Sequence, residues 1–243
     1  MLKWSMAMVS LAACQPAFEV GGKTSVDDFA DAQVRALADA ACVGDIAKVD
    51  EALAAGALPN ARGLDSITPL FWAVMCEKEA GIRALMAHGA DADQDAEGFF
   101  AITQAAAYRR PDALRALLAG GANPNPATPP AGHTPLQNAL LASMHNGNRE
   151  NLILLLEAGA DVNAPTGGID GTVVQDAVAF NRYDEAELLI DHGYVGGLSG
   201  LRISAQQSLD NPHINDSAKP RIRLFLQRLD RERVRCLRQR RLI

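Results

Sequence analysis

Apolar positions in this chain come in short helical blocks, each closed by a polar turn. Five of the blocks end on a Gly-Ala-like pair: Gly56-Ala57, Gly89-Ala90, Gly121-Ala122, Gly159-Ala160 and the degraded Gly193-Tyr194. The pairs recur at a near-constant spacing of about 32–38 residues, and a fixed period in this range marks a stacked array, in which each unit buries its apolar side against the next. An all-α solenoid of about five helix-turn-helix repeats is therefore expected over residues 26–197. Beyond about 198 the period is gone. Leu201 to Leu209 reads as a short helix, Asp210-Asn211-Pro212 as its stop, and Pro220 as the start of a longer helix through about Leu237. Ile222, Phe225, Leu226, Leu229 and Cys236 share one face of that helix, with Arg221, Arg223, Arg228, Arg231, Arg235 and Arg238 mostly elsewhere. The open apolar end of an array needs covering, so 198–243 reads as a helical C-terminal cap. The alternative is a basic amphipathic helix that meets anionic lipid headgroups or an acidic protein.

The content of each period points to a family. Thr68-Pro69-Leu70-Phe71 and Thr134-Pro135-Leu136-Gln137 lie two periods apart, and each precedes two helical stretches and then Gly-Ala-Asp-x-Asp or Gly-Ala-Asp-Val-Asn. This resembles the ankyrin repeat. A threonine hydroxyl caps free backbone N–H groups, proline tolerates the first helical turn, and glycine supplies the left-handed exit. The copy over about 35–62 lacks Thr-Pro and reads as an N-terminal capping repeat. Phe100-Ala101-Ile102 and Thr172-Val173-Val174 replace Thr-Pro-Leu in the third and fifth copies. The family's histidine after Leu is Phe71, Thr103, Gln137 and Gln175 here, and the fourth copy carries an insertion around Met144 to Asn148.

Charge changes the picture. The net charge is −6, but from Lys219 onward ten Lys or Arg face two acids, which leaves the chain ahead of Lys219 at −14. An acidic array argues against a general nucleic-acid binder, because phosphate recognition needs a basic docking face. Cys42 and Cys76 fall at inner-helix positions of consecutive copies, where a thiol is ordinarily a small buried apolar group. A disulfide between them is not expected, because stacked helix axes lie about 8–10 Å apart while a disulfide needs Cα atoms within about 7 Å.

Cys14 is different. Met1-Leu2-Lys3 gives a positive start, Trp4 to Ala13 is uncharged, and Leu11-Ala12-Ala13-Cys14 resembles the lipobox of a bacterial lipoprotein signal. The resemblance implies a signal peptide at 1–13, acylation of Cys14 and a tether at 14–25. Gln15 after the cysteine implies the outer membrane, with the array facing the periplasm. An ordinary helical N-terminus, and so a cytoplasmic scaffold, is the alternative.

The ankyrin resemblance implies partner contacts from residues just before the inner helix and from that helix's end. Carried over by position, these include Leu64, Asp65, Ile67, Met75, Glu97, Phe99, Tyr108, His133, Ile169 and Phe180. Exposed apolar and aromatic members of such a set are the anchors that dominate interfaces. Phe99 reads either as an anchor or as buried in a weakened copy, Phe100 as buried, and Trp72 as core. No phosphate loop, His-Glu-x-x-His, Gly-x-Ser-x-Gly or Cys-x-x-Cys is present, so neither catalysis nor a cofactor or metal is expected. The expectation is a monomeric, non-enzymatic protein-interaction module. In its sharper form it is an immunity protein masking a secreted toxin such as a type VI phospholipase effector. In another form it is a scaffold or stabilising factor for an envelope enzyme of stress defence.

Overall fold

Threonine hydroxyls start three of the inner helices. Thr68, Thr134 and Thr172 Oγ1 accept from the backbone N–H of Phe71, Gln137 and Gln175 at 3.1, 3.1 and 3.4 Å. Each bond satisfies a donor that the first helical turn leaves free. The Gly-Ala pairs stop the outer helices by a common mechanism. In the first four, the glycine is left-handed, its N–H bonds three residues back, and the alanine N–H bonds five residues back, from Ala57 to Ala52, Ala90 to Leu85, Ala122 to Leu117 and Ala160 to Leu155. The periodic turns of the sequence are thus Schellman stops, and the four alanines are buried beneath them.

A computed structural model describes residues 24–127, 133–166 and 171–240, with side chains through Glu232. The chain divides into two units, at Ala127 and Thr128. In the first, a short helix α1 (Ser25–Asp28) leads into α2 (Ala32–Val43), α3 (Ile46–Ala54), α4 (Pro69–Met75), α5 (Glu79–Ala87), α6 (Ala101–Ala106) and α7 (Asp112–Ala119). The inner layer is α2, α4 and α6, and the outer layer is α3, α5 and α7. Leu37, Leu70, Trp72, Ile82, Leu85, Ile102, Leu114 and Leu117 fill the seam. Trp72 is fully buried, edge-on to Phe29 with ring centroids 6.3 Å apart.

The third copy departs from the helical pattern. Without a Thr cap, its inner helix α6 is the short Ala101–Ala106 segment, and the residues before it pair as β1 (Asp95–Ala96) with β2 (Phe99–Phe100), in register Asp95 with Phe100 and Ala96 with Phe99.

The second unit contains α8 (Pro135–Asn146), α9 (Glu150–Glu157), α10 (Val173–Ala179), α11 (Tyr183–Asp191), α12 (Leu198–Asp210) and α13 (Lys219–Arg240). Here α12 packs on α10, and α13 on α11 and α12, so the last two helices form a sixth pair without the repeat's turn motif. Ile222, Phe225, Leu226 and Leu229 are buried, and Phe225 meets Tyr183 with centroids 5.1 Å apart. Where the family places histidine, Gln137 Nε2 donates to buried Asp176 Oδ2 at 2.7 Å, in the next inner helix of this unit. No helix among the described residues is long and apolar enough to cross a membrane.

The structure corrects one expectation outright. Cys42 and Cys76 form a disulfide, with Cα atoms 5.3 Å apart. Axis spacing was the wrong measure. Each Cα stands about 2.3 Å off its helix axis, so residues on facing sides come about 4.6 Å closer than the axes do. Small residues allow the approach: a Cβ added to Gly81 would lie 1.9 Å from the carbonyl oxygen of Ala41, so α5 rests directly on the α2 backbone beside Cys42.

Candidate functional site

The site in the first unit is built from two projecting turns and the ends of the inner helices. Gly63 N–H donates to Ile67 O at 2.7 Å, and Ile67 N–H to Leu64 O at 3.1 Å, which folds 63–67 into a tight loop. Its tip residues, Asp65 and Ser66, are left-handed at φ 54° and 60°. The β1–β2 hairpin repeats this geometry one period later. Glu97 and Gly98 stand at φ 50° and 86°, the two-residue turn whose twist matches a hairpin. Gly98 adopts this backbone freely, whereas Asp65, Ser66 and Glu97 do so at a steric cost. Arg62 joins the two projections, its Nη1 donating to Asp95 O at 3.0 Å.

Leu64 is 56% exposed and Phe99 55%, with the carboxylates of Asp65 and Glu97 at the turns. Leucine and phenylalanine thus stand in solvent on braced backbone, which favours them as contacts. Phe100, on the other face of β2, is buried, as strand alternation requires. Ile67 is the correction. It is 3% exposed and belongs to the core beneath the loop, so it is withdrawn from the contact set. Its place just before the inner helix matches the family's contact positions, but the bonds of the 63–67 loop turn it inward.

Met75 and Tyr108 are half-buried near the C-terminal ends of α4 and α6. Gln104 Nε2 donates to the Tyr108 hydroxyl at 3.2 Å, and burial pushes the phenol up to about 12, so it stays protonated at neutral pH. Glu77, left-handed at φ 54°, lies near enough to add to that effect. Partial desolvation also raises the carboxyl of Glu77, whose side chain is otherwise exposed, against the opposing charge of Arg110. The Cys42–Cys76 bridge ends beside Met75, and sequence reasoning missed it. The signal was there: two cysteines one period apart at matching positions.

In the second unit, Phe180 caps α10 and is 42% exposed, followed by left-handed Asn181 at φ 58°. His133 is half-buried, with Nδ1 3.1 Å from Asn138 Oδ1. Ile169 and Cys14 lie outside the described residues.

Side chains at the turns carry the periodicity across copies. Asn60 Oδ1 accepts from Asp91 N–H at 2.7 Å while its Nδ2 donates to Gly89 O at 3.0 Å. Asn163 does the same with Val195 N–H and Gly193 O, at 2.9 and 3.1 Å. Asp93, a carboxylate, accepts from Asn123 N–H at 3.2 Å and has no proton to donate.

The model of three ankyrin repeats matches residues 37–128, and that of a single ankyrin repeat matches 131–167, together a little over half of the chain. The chain belongs to the ankyrin-repeat family. Such proteins are typically non-enzymatic interaction modules, so the ankyrin array here is a protein-protein interaction module. Over 101 residues the chain is 39% identical to Protein PhlB of Serratia liquefaciens, covering 41% of this chain and 43% of PhlB. The likeness thus spans less than half the length of that relative. In these ankyrin copies Asn60 and Thr68 brace the loop that carries Leu64 and Asp65, and the β1–β2 pairing holds Phe99 and Glu97.

Proposed function

We propose that this protein is exported and works in the bacterial envelope, where it binds one protein partner through the projecting edge formed by Leu64, Asp65, Glu97 and Phe99. The observation that carries the export reading is the Cys42–Cys76 disulfide. Such bonds persist in the periplasm and are reduced in the cytosol. The lipobox-like Leu11-Ala12-Ala13-Cys14 supports the same compartment and an acyl anchor at the outer membrane.

The partner reading is an immunity function, in which the edge masks a toxic enzyme delivered into that compartment, such as a type VI phospholipase effector. The acidic character of the chain ahead of Lys219 favours a basic or membrane-seeking target. Palmitate labelling of the wild type and of Cys14→Ser, with fractionation and non-reducing gels, tests export. An unlabelled, reduced, cytosolic protein removes it. Challenge with type VI phospholipase effectors delivered to the periplasm tests immunity: protection is expected, and is lost in Leu64→Ala/Phe99→Ala. Killing of cells that hold the folded wild type rejects the reading in favour of an envelope scaffold, which crosslinking and mass spectrometry would reveal.

A further inference from the structure

The arginines of α13 fall into two groups. Arg221 is bound by Glu187, with Nη2 2.5 Å from Oε2, and also pairs with Asp184. Arg228 pairs with Asp191 at 2.6 Å. Lys219 is met by Asp216 at 2.6 Å, and Asp230 on α13 is taken by Arg202 of α12 at 2.8 Å. The near half of the helix is therefore neutralised by the acids of α11 while Ile222, Phe225, Leu226 and Leu229 are buried. Arg223 and Arg231 differ. Both are exposed, and among the described residues neither makes a close ion pair, although Lys219, helped by Arg223, lowers the Asp216 carboxyl. With exposed Gln227 they stand four apart on one stripe, beside Leu224, which is 55% exposed. The helix runs on through Arg240, and from 231 to 241 the sequence places six arginines against one acid, Glu232. Like charges so dense along the sequence favour a polyanionic surface.

We infer that the exposed stripe of α13 docks on an anionic lipid bilayer. One observation favours lipid over nucleic acid: Leu224, 55% exposed beside Arg223, can seat in the apolar interface of a membrane, which a phosphate backbone does not offer. The helix's main apolar face is already spent on its own unit. It therefore lies on the headgroups with Leu224 alone reaching the interface, and binding is mainly electrostatic and salt-sensitive. Each arginine near such a surface contributes about five-fold in partitioning. The inference holds whether or not Cys14 is acylated.

The test uses the full chain carrying Cys14→Ser, with vesicles containing phosphatidylglycerol and vesicles of phosphatidylcholine alone. The readout is the ratio of the two partition coefficients, in which apolar contributions cancel, and the double variant on the same chain separates the arginines from the charge of Lys3 and the amino terminus. A preference for phosphatidylglycerol is expected that fades with added salt. Arg223→Glu/Arg231→Glu lowers it by about 25-fold or more, with the circular dichroism and melting of the parent retained. A ratio near one, a ratio that the double variant leaves unchanged, or salt-dependent capture of duplex DNA in place of vesicles overturns the inference.

Discussion

Cys42, buried near the end of α2, is bonded to Cys76 just after α4, at a sequence separation of 34 and with Cα atoms 5.3 Å apart. The bond joins consecutive copies where Ala41 and Gly81 already touch. Closing a loop of this length in the unfolded chain is worth about 3–4 kcal/mol on the chain-entropy account. Cys42→Ala/Cys76→Ala should lose about that much in denaturant unfolding. Reductant should lower the wild-type midpoint and leave the variant's unchanged.

Gly81 admits no side chain. Its missing Cβ would collide with the backbone of Ala41, which cannot rotate away as a flexible side chain could. Gly81→Ala should cost about 1–3 kcal/mol by overpacking, and should slow formation of the neighbouring disulfide during oxidative refolding. Melting curves and a quenched thiol assay measure the two effects.

Asp93 occupies the place where Asn60 and Asn163 each make two bonds to the following turn. Its carboxylate makes one. Asp93→Asn restores a donor toward the carbonyl of Gly121, and should raise stability by about 0.5–1.5 kcal/mol. An unchanged or lowered denaturation midpoint contradicts this account.

Glu77 stands where the first copy has Gly44 and the fifth Asn181, all left-handed. Glu77→Gly relieves the backbone and should stabilise the fold by about 0.5–1 kcal/mol. The gain has a pH dependence of known sign. Partial desolvation raises the folded-state pKa of Glu77, so its favourable contribution is present below the unfolded value and is lost as pH rises through the folded one. The advantage of the variant should be larger at neutral pH than in acid, as thermal melts at both pH values would show.

Much of this architecture was legible in the residues, because each copy writes its own boundaries. Thr68, Thr134 and Thr172 cap helices, Gly56, Gly89, Gly121 and Gly159 stop them, and both depend on neighbours only a few residues away. The C-terminal helices were placed within a few residues, since proline and apolar spacing are also local signals. What depends on the gap between copies was not legible. The disulfide, the inward turn of Ile67 and the pairing of β1 with β2 follow from how closely adjacent backbones approach, which small residues such as Gly81 set. The α12–α13 pair escaped the periodic reading because it stacks without the Gly-Ala stop.

Covalent closure also alters how the molecule yields to force. A chain drawn out by its ends, whether by an unfoldase or in an optical trap, keeps the segment between Cys42 and Cys76 slack inside a loop. At about 3.3–3.6 Å per residue, about 110–120 Å of contour is withheld until a thiol opens the knot-like crossing. A narrow degradative pore must therefore pass three strands abreast there, the two arms of the loop and the continuing chain, which makes the oxidised N-terminal copies the hardest stretch to thread.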